Sequence, residues 1–237
     1  MKIFITGVSS GLGLYIANEF LTQGDEVRGI ARRKLEDESL SGHDKFKYYQ
    51  CDTTKSNEVK KTYDLLIEDQ FIPDAIIFCA GSATDDIHES SFSADNFKEN
   101  FNINLFAMTL WMELFLPDFQ NRNRGVFAAI SSMSSYLENH SHRIAYSASR
   151  IALNKAFENL QMEFLGSGFS FLILNMGRIQ KESGLIGISY NKASLKIRKI
   201  IKSGKYPNKI DIPVLQALLT RLAKLMPKSV LKKLMSG

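Results

Sequence analysis

Thr6-Gly7-Val8-Ser9-Ser10-Gly11-Leu12-Gly13 follows the short apolar run Lys2–Thr6 and leads into a stretch with helical spacing. In Leu12–Gln23 the residues Leu14, Ala17, Phe20 and Leu21 share one face, and Gly24 closes the segment. A strand that runs through small residues into a helix leaves backbone N–H groups aimed at a phosphate. Gly7, Gly11 and Gly13 give backbone that can approach a ligand closely, with Ser9, Ser10 and Leu12 between them. The spacing is G-x-x-x-G-x-G, so the stretch reads as a compact dinucleotide cradle, with a purely structural strand–helix turn as the competing reading.

The rest of the chain repeats the same alternation. Glu26–Ala31 and Phe46–Cys51 read as strands, and Asn57–Asp69 as a helix with Val59, Tyr63, Leu66 and Ile67 on one face. Ala75–Cys79 is a continuous apolar run, as a strand covered on both faces requires. A long helix is expected from about Ser93 to Leu116, stopped by Pro117. Gly125–Ile130, the helix Ile144–Leu165 and the strand Phe169–Asn175 follow. Residues 176–190 read as loop, Ala193–Lys202 as a basic helix and Tyr206–Pro213 as a short last strand. Strands alternating with helices imply right-handed crossovers and a parallel sheet. The expected fold class is therefore α/β: a single Rossmann-like, doubly wound sheet of about seven strands in the order 3-2-1-4-5-6-7. Residues 1–190 read as the dinucleotide-binding and catalytic part, and 191–237 as a substrate lid with a basic helical extension of the same domain.

At 237 residues and 44% hydrophobic content, the chain suits one such domain. No apolar run reaches the roughly 18 residues that span a bilayer, and the N-terminus is strand-like. A cytoplasmic protein is the expectation. Cys51 and Cys79 each end a strand, three positions apart in the expected order. At about 4.8 Å per strand they stand roughly 14 Å apart, beyond disulfide reach, so two reduced thiols are expected. These cysteines have no metal-ligand spacing, and His140 and His142 lack Cys or acid partners, so no metal site is expected; the two histidines read as loop residues, with substrate contact the second reading. The net charge is +5, but residues 190–237 carry twelve Lys or Arg against Asp211, a local balance of +11 that leaves −6 for the remainder. A nucleic-acid binder would spread its basic surface, so this charge belongs to the tail.

The end of the second strand bears on which dinucleotide is bound. Ala31 occupies the place of the acid that would bind a ribose 2′-hydroxyl, and Arg32 and Arg33 follow. An acid there repels a 2′-phosphate, whereas a guanidinium pairs with it. NADP(H) is favoured, with NAD(H) as the alternative; solvated loop arginines beside Glu36, Asp37 and Glu38 are the bland reading.

Together with later motifs, these residues resemble the short-chain dehydrogenase/reductase family over about residues 1–180. Thr6–Gly13 matches the family's TGxxxGxG, Asp52 before Thr53 matches the acid at the adenine, and Phe78-Cys79-Ala80-Gly81 stands where NNAG usually occurs. Asn102-Ile103-Asn104-Leu105-Phe106 matches the asparagine segment, with Asn104 the better-aligned candidate. Ile130-Ser131-Ser132 matches the serine strand end, and Tyr146-Ser147-Ala148-Ser149-Arg150 the YxxxK signature. Asn175-Met176-Gly177-Arg178-Ile179 falls on the segment closing over nicotinamide. The resemblance implies cofactor contacts at Gly7, Ser9, Ser10, Gly11, Leu12, Gly13, Arg32, Arg33, Asp52, Thr53, Cys79, Ala80, Gly81, Tyr146, Arg150, Gly177 and Ile179. It also implies catalysis by Asn104, Ser132, Tyr146 and Arg150, with Asn104 holding a water, on a small carbonyl or alcohol substrate, and a homodimer through the long helices.

The chemistry also follows from the residues. Hydride delivery to a ketone leaves an alkoxide that needs a proton, and a tyrosine hydroxyl can supply it. A cation within about 4–6 Å lowers such a group's pKa by roughly 1–3 units. Tyr146 and Arg150 are four apart on a helix and share a face. Three departures from the family stand out: Arg150 for lysine, Phe78 and Cys79 for two asparagines, and Met176 and Lys181 for Pro and Thr. Arginine keeps the charge but cannot give up its proton. The Ser132–Tyr146 interval is one residue longer than the commonest spacing, which leaves Ser134 as the alternative serine. The expected activity is NADP(H)-dependent carbonyl reduction or alcohol oxidation. A cofactor-binding regulatory or scaffold protein with little turnover is the alternative.

In the tail, Leu215, Leu218, Leu219, Leu222, Leu225 and Met226 fall on one helical stripe, with Arg221 and Lys224 off it and Lys228, Lys232 and Lys233 following. Two readings stand: a terminal helix packed on its own domain or a partner subunit, or a helix lying peripherally on an anionic membrane. A tail over the cleft mouth would suit a hydrophobic substrate.

Overall fold

A computed structural model describes residues 1–85, 91–136, 143–182 and 187–226, and the backbone of 87–88. Seven parallel strands form the central sheet: β1 (Lys2–Thr6), β2 (Glu26–Ala31), β3 (Phe46–Gln50), β4 (Ala75–Phe78), β5 (Gly125–Ser132), β6 (Phe169–Met176) and β7 (Lys209–Ile212). Their spatial order is β7-β6-β5-β4-β1-β2-β3, the order expected from the sequence. β1 pairs with β2 (Ile3 opposite Val27) on one side and with β4 (Ile5 opposite Ile77) on the other. The topological switch therefore falls at the end of β1, where the glycine stretch begins.

Side chains alternate across the sheet and build two cores. Ile3 and Ile5 pack with Ile16 and Phe20 of α1 (Gly11–Leu21) and with Ile197 and Ile201 of α7 (Tyr190–Lys202). Phe4 faces the other way, where its ring lies 4.7 Å from Trp111 and 5.6 Å from Phe115. This second core is aromatic, with Phe119 and Phe127 at 4.3 Å and Phe127 and Phe171 at 5.3 Å. Three further helices, α3 (Ser56–Glu68), α5 (Ala107–Arg122) and α6 (Ile144–Glu163), supply the residues that cover it.

The expected helix from Ser93 to Leu116 is instead three segments, and Pro117 does not stop it. α4 (Ala94–Phe101) is capped by the Ser93 side chain, a π-helical turn spans Asn102–Phe106, and α5 runs through Pro117 to Arg122. A proline inside a helix costs about 3 kcal/mol. Phe115 and Phe119 flank it and are fully buried. Each contributes roughly 1.5–3 kcal/mol, enough together to hold the helix against the sheet. The helix ends at Asn123, in the left-handed conformation at φ 47°.

Other departures are local. A short helix α2 (Glu38–Ser41) occupies the acidic stretch that reads as loop, because Asp37 accepts from the Leu40 N–H. Within the expected loop 176–190, Ile179–Gln180 pairs with Ile188–Ser189. α7 starts at Tyr190, three residues early, because Ser189 caps the Lys192 N–H. The tail charge is partly neutralised by acids elsewhere: Arg198 meets Glu19 at 2.8 Å and Lys202 meets Asp25 at 2.6 Å. These pairs dock α7 on α1, beside stacked Tyr15 and Tyr190 rings 5.0 Å apart.

β1 and β4 are tied at their upper ends by Thr6. Its buried hydroxyl accepts from the N–H groups of Cys79 (3.1 Å) and Ala80 (3.0 Å). Replacing Thr6 by Val keeps the shape and leaves two N–H groups unpaired. We expect a loss of about 1–3 kcal/mol in urea unfolding, largely restored by Thr6→Ser. An unchanged midpoint for Thr6→Val would show that the tie contributes nothing.

Candidate active site

A cleft of about 520 Å³ lies over the carboxyl ends of β1, β2, β4, β5 and β6, at the topological switch. Its floor is the glycine stretch. Gly7 sits at φ +81°, and a Cβ there would lie 2.8 Å from the Ala80 Cα. A Cβ on Gly13 would lie 2.2 Å from the Gly7 carbonyl oxygen, so any side chain would push α1 off the end of β1. Ser10, the residue preceding α1, makes no side-chain cap, and the first turn carries no acid. That N-terminus suits an anion. Gly7, Ser9, Ser10, Leu12 and Gly13 line the cleft, whereas Gly11 does not.

Arg32 and Arg33 line the far wall beyond β2, where an Arg33 Nη2 hydrogen donates to the Ser10 hydroxyl. Tyr48 fixes this turn from β3, donating to the carbonyls of Ala31 and Arg33. Burial, the largest influence, pushes the Tyr48 hydroxyl above its ordinary pKa. Asp52 and Thr53 line the next section. Asp52 Oδ1 accepts from the Thr54 N–H (3.1 Å) and hydroxyl (2.8 Å), while Thr53 Oγ1 accepts from the Trp111 ring N–H at 2.8 Å.

Cys79, Ala80 and Gly81 form the middle of the wall, and Gly177 and Ile179 the side opposite. Both cysteines are free. Burial pushes the Cys51 thiol up to about 11. It pushes Cys79 up to about 12, against a downward pull from Arg150. The Cys79 thiolate is thus scarce well above neutrality, although the residue lines the cleft. Iodoacetamide at pH 8 should leave Cys79 unmodified in the native protein and alkylate it after unfolding, as read by mass spectrometry. Rapid native labelling would contradict this assignment.

Ser132, Tyr146 and Arg150 line the remaining end. Ser132 closes β5, and its hydroxyl oxygen accepts from the Ser134 N–H at 3.1 Å. Among the described residues, Ser134 is not part of the cleft wall, and its own buried hydroxyl finds no hydrogen-bond partner. The Arg150 guanidinium carbon lies 5.2 Å from the centre of the Tyr146 ring. Arg150 is 6% exposed and donates from Nη1 to the Ile130 carbonyl (3.1 Å) and from Nη2 to Asn104 Oδ1 (3.1 Å). Gly81 makes room for the bulky group, since a Cβ there would lie 2.3 Å from Nη2.

Asn104 stands behind the wall in the π-helical turn. Its Oδ1 also accepts from the Ser82 N–H (2.8 Å), and its Nδ2 donates to the Ser82 carbonyl (2.8 Å) and the Ser149 hydroxyl (3.1 Å). The amide's hydrogen-bonding positions are thus taken by protein, two at each end. The water expected at this residue finds no position on its side chain. Lys181 is exposed, and His140 and His142 lie outside the described residues.

Sequence reading missed a polar chain that braces the serine loop. Ser135 donates to the Ser132 carbonyl at 2.7 Å, and Asn154 reaches both Ser135 (3.0 Å) and Asn175 (3.3 Å). Asn175 donates to the Tyr136 hydroxyl, which donates to Asp211 on β7, each at 2.6 Å. Arg221 closes the chain on Asp211 at 2.6 Å. Burial and then the Asp211 hydrogen bond hold the Tyr136 hydroxyl above its usual range. Only the high proportion of amide and hydroxyl residues in otherwise apolar segments hinted at this network.

A doubly wound parallel sheet with a glycine cradle at its switch point and a serine, tyrosine and basic residue in the same cleft defines an oxidoreductase of the dinucleotide-binding class. Residues 1–183 match the family model described as short chain dehydrogenase, and the chain belongs to that family. It is 26% identical over 220 residues to a short chain dehydrogenase of Pseudocercospora fijiensis, covering 88% of this chain and 71% of that protein. It is 27% identical over 199 residues to an NADPH-dependent pterin aldehyde reductase of Arabidopsis thaliana, covering 81% and 80%. The closed form of serine dehydrogenase complexed with NADP+ shares the fold, with a TM-score of 0.81 at 17% identity over 91% of this chain and 96% of that one.

Proposed function

We propose that this chain is an NADP(H)-dependent carbonyl reductase, able to run alcohol oxidation in reverse, with Tyr146 as general acid/base. One observation carries the reading: a single cleft holds Ser132, Tyr146 and Arg150 at one end and Arg32 and Arg33 at the other. β2 and β5, which deliver these two ends, are three strand positions apart, about 14 Å, a separation suited to an extended dinucleotide. The Arabidopsis relative is NADPH-dependent by name, which supports the same cofactor.

The residues present fit NADP(H), which supplies or accepts the hydride when bound. The glycine stretch and the first turn of α1 hold the pyrophosphate. Arg32 and Arg33 pair with the 2′-phosphate. Asp52 and Thr53 flank the adenine, and Cys79, Ala80 and Gly81 face the ribose that Tyr146 and Arg150 hold. Gly177 and Ile179 close over the nicotinamide side. Ser132 accepts from Ser134, which leaves its own proton free to donate to the substrate oxygen. Tyr146 delivers a proton to that oxygen, and the Arg150 charge stabilises the phenolate left behind. Asn104 contributes by holding Arg150.

NADPH oxidation with a panel of ketones and aldehydes, wild type beside Tyr146→Phe, tests the reading; equal rates would remove it. Phe106, Ile144 and Ile151 expose apolar surface around the π-helical turn and α6, 53%, 46% and 52% exposed. A homodimer formed through α5 and α6 covers them.

A further inference from the structure

The last described helix, α8 (Val214–Ala223), is turned inside out relative to an ordinary surface helix. Gln216, Ala217 and Thr220 face the domain, with Ala217 only 2% exposed. Leu215, Leu218, Leu219 and Leu222 face outward at 62%, 54%, 45% and 52% exposure, and Leu225 beyond the helix reaches 82%. No described residue covers this stripe. Of the two tail readings, a helix packed on its own domain or a partner subunit and a helix lying on a membrane, both remain open: among the described residues α8 packs on the domain through Ala217 and not through its leucines.

The orientation is fixed by polar contacts on the inner side. Gln216 Oε1 accepts from the Arg178 N–H at 2.9 Å, next to Gly177 on the cleft wall. Arg221 is locked to Asp211, the acid that also receives the Tyr136 hydroxyl. The helix is thus clamped at the cleft rim with its apolar side outward.

We propose that α8 docks this protein on an anionic lipid surface, with the leucine stripe entering the interface and the cleft mouth held against it. The charge around the stripe selects this occupant. Asp211 is the sole acid from residue 190 to the end and is already paired with Arg221. Lys224 is exposed beside the stripe, and the sequence from Pro227 onward adds Lys228, Lys232 and Lys233 with no acid. A basic amphipathic helix with leucines on one side binds anionic interfaces. A second copy is a poorer match, because an isologous pairing of the stripes would bring the Lys224 charges of both copies to one interface with no acid beside them. Taken with the reductase reading, on which this consequence rests, the substrate is an apolar carbonyl compound dissolved in the bilayer.

Co-sedimentation of the full chain with phosphatidylcholine–phosphatidylglycerol vesicles tests the proposal, with pure phosphatidylcholine vesicles as comparison. The wild type should pellet with the anionic vesicles. The pelleted fraction should fall about tenfold or more with neutral vesicles, and likewise for Leu218→Gln combined with Leu222→Gln. Lys224→Glu should fall on anionic vesicles alone. Each variant should keep the wild-type circular dichroism and rate of NADPH oxidation with a water-soluble ketone, since these side chains are outside the cleft. Wild type left in the supernatant, or a leucine variant that pellets undiminished, overturns the proposal. So does a leucine variant that changes from a larger oligomer to a smaller one, which would make the stripe an interface between copies. Vesicle capture is read without turnover, so it stands or falls separately from the reductase reading.

Discussion

Tyr146→Phe lowers kcat for ketone reduction by about 10²–10⁴-fold, the usual contribution of a positioned acid/base. That range corresponds to roughly 3–5.5 kcal/mol of transition-state stabilisation. The substitution removes one oxygen atom and leaves the ring, so its contact with the Arg150 guanidinium at 5.2 Å can persist. KM for NADPH should therefore change little, because the glycine stretch, Arg32 and Arg33, where the proposed reading puts the phosphates, are untouched by the substitution. Steady-state NADPH oxidation followed by absorbance separates the two parameters. A fall in affinity alone, with kcat preserved, would assign Tyr146 to binding rather than proton transfer.

Replacing Arg32 and Arg33 together by Ala should raise KM for NADPH by about 30-fold or more while moving KM for NADH by about twofold or less. Each charged hydrogen bond of this kind contributes roughly 1.5–3 kcal/mol, reduced here because both side chains are exposed. The expected discrimination rests on Ala31, which offers no carboxylate to a ribose 2′-hydroxyl, and on Arg33, which donates to the Ser10 hydroxyl at the N-terminus of α1. Ser10→Ala removes that hold and should reproduce a smaller part of the effect. Equal losses for both cofactors would assign the arginines to a part the two share and contradict the 2′-phosphate assignment, and no loss for either would make them solvated loop charges.

The sheet was legible because its information is local. Continuous apolar runs such as Ala75–Phe78, bounded by turn residues, mark strands covered on both faces. The glycine stretch and the four-residue interval between Tyr146 and Arg150 also state their geometry directly. What stayed hidden depends on partners distant in the chain. The Arg150 guanidinium is fixed by Ile130 and Asn104, 20 and 46 residues away, and neither contact has a sequence signature. Pro117 signals a helix end, and only the burial of Phe115 and Phe119 against the sheet overrides it. Periodicity located the leucine stripe of α8 but could not say which side faces the domain. Gln216 and Arg221 decide that, through Arg178 and Asp211.

The Arg150 substitution concentrates the central question. A guanidinium buried beneath Gly81 and bonded on both sides is a fixed charge, suited to stabilising a phenolate and unsuited to passing protons. In the proposed mechanism, proton transfer then falls to Tyr146, with Ser132 orienting the substrate oxygen. Wild-type protein supplied with NADPH deuterated at its transferable hydride position and a reducible ketone tests this most directly. The expected product is an alcohol labelled at the carbinol carbon, one deuterium for each cofactor oxidised. NADPH bound tightly but returned unoxidised across the whole carbonyl panel would contradict it.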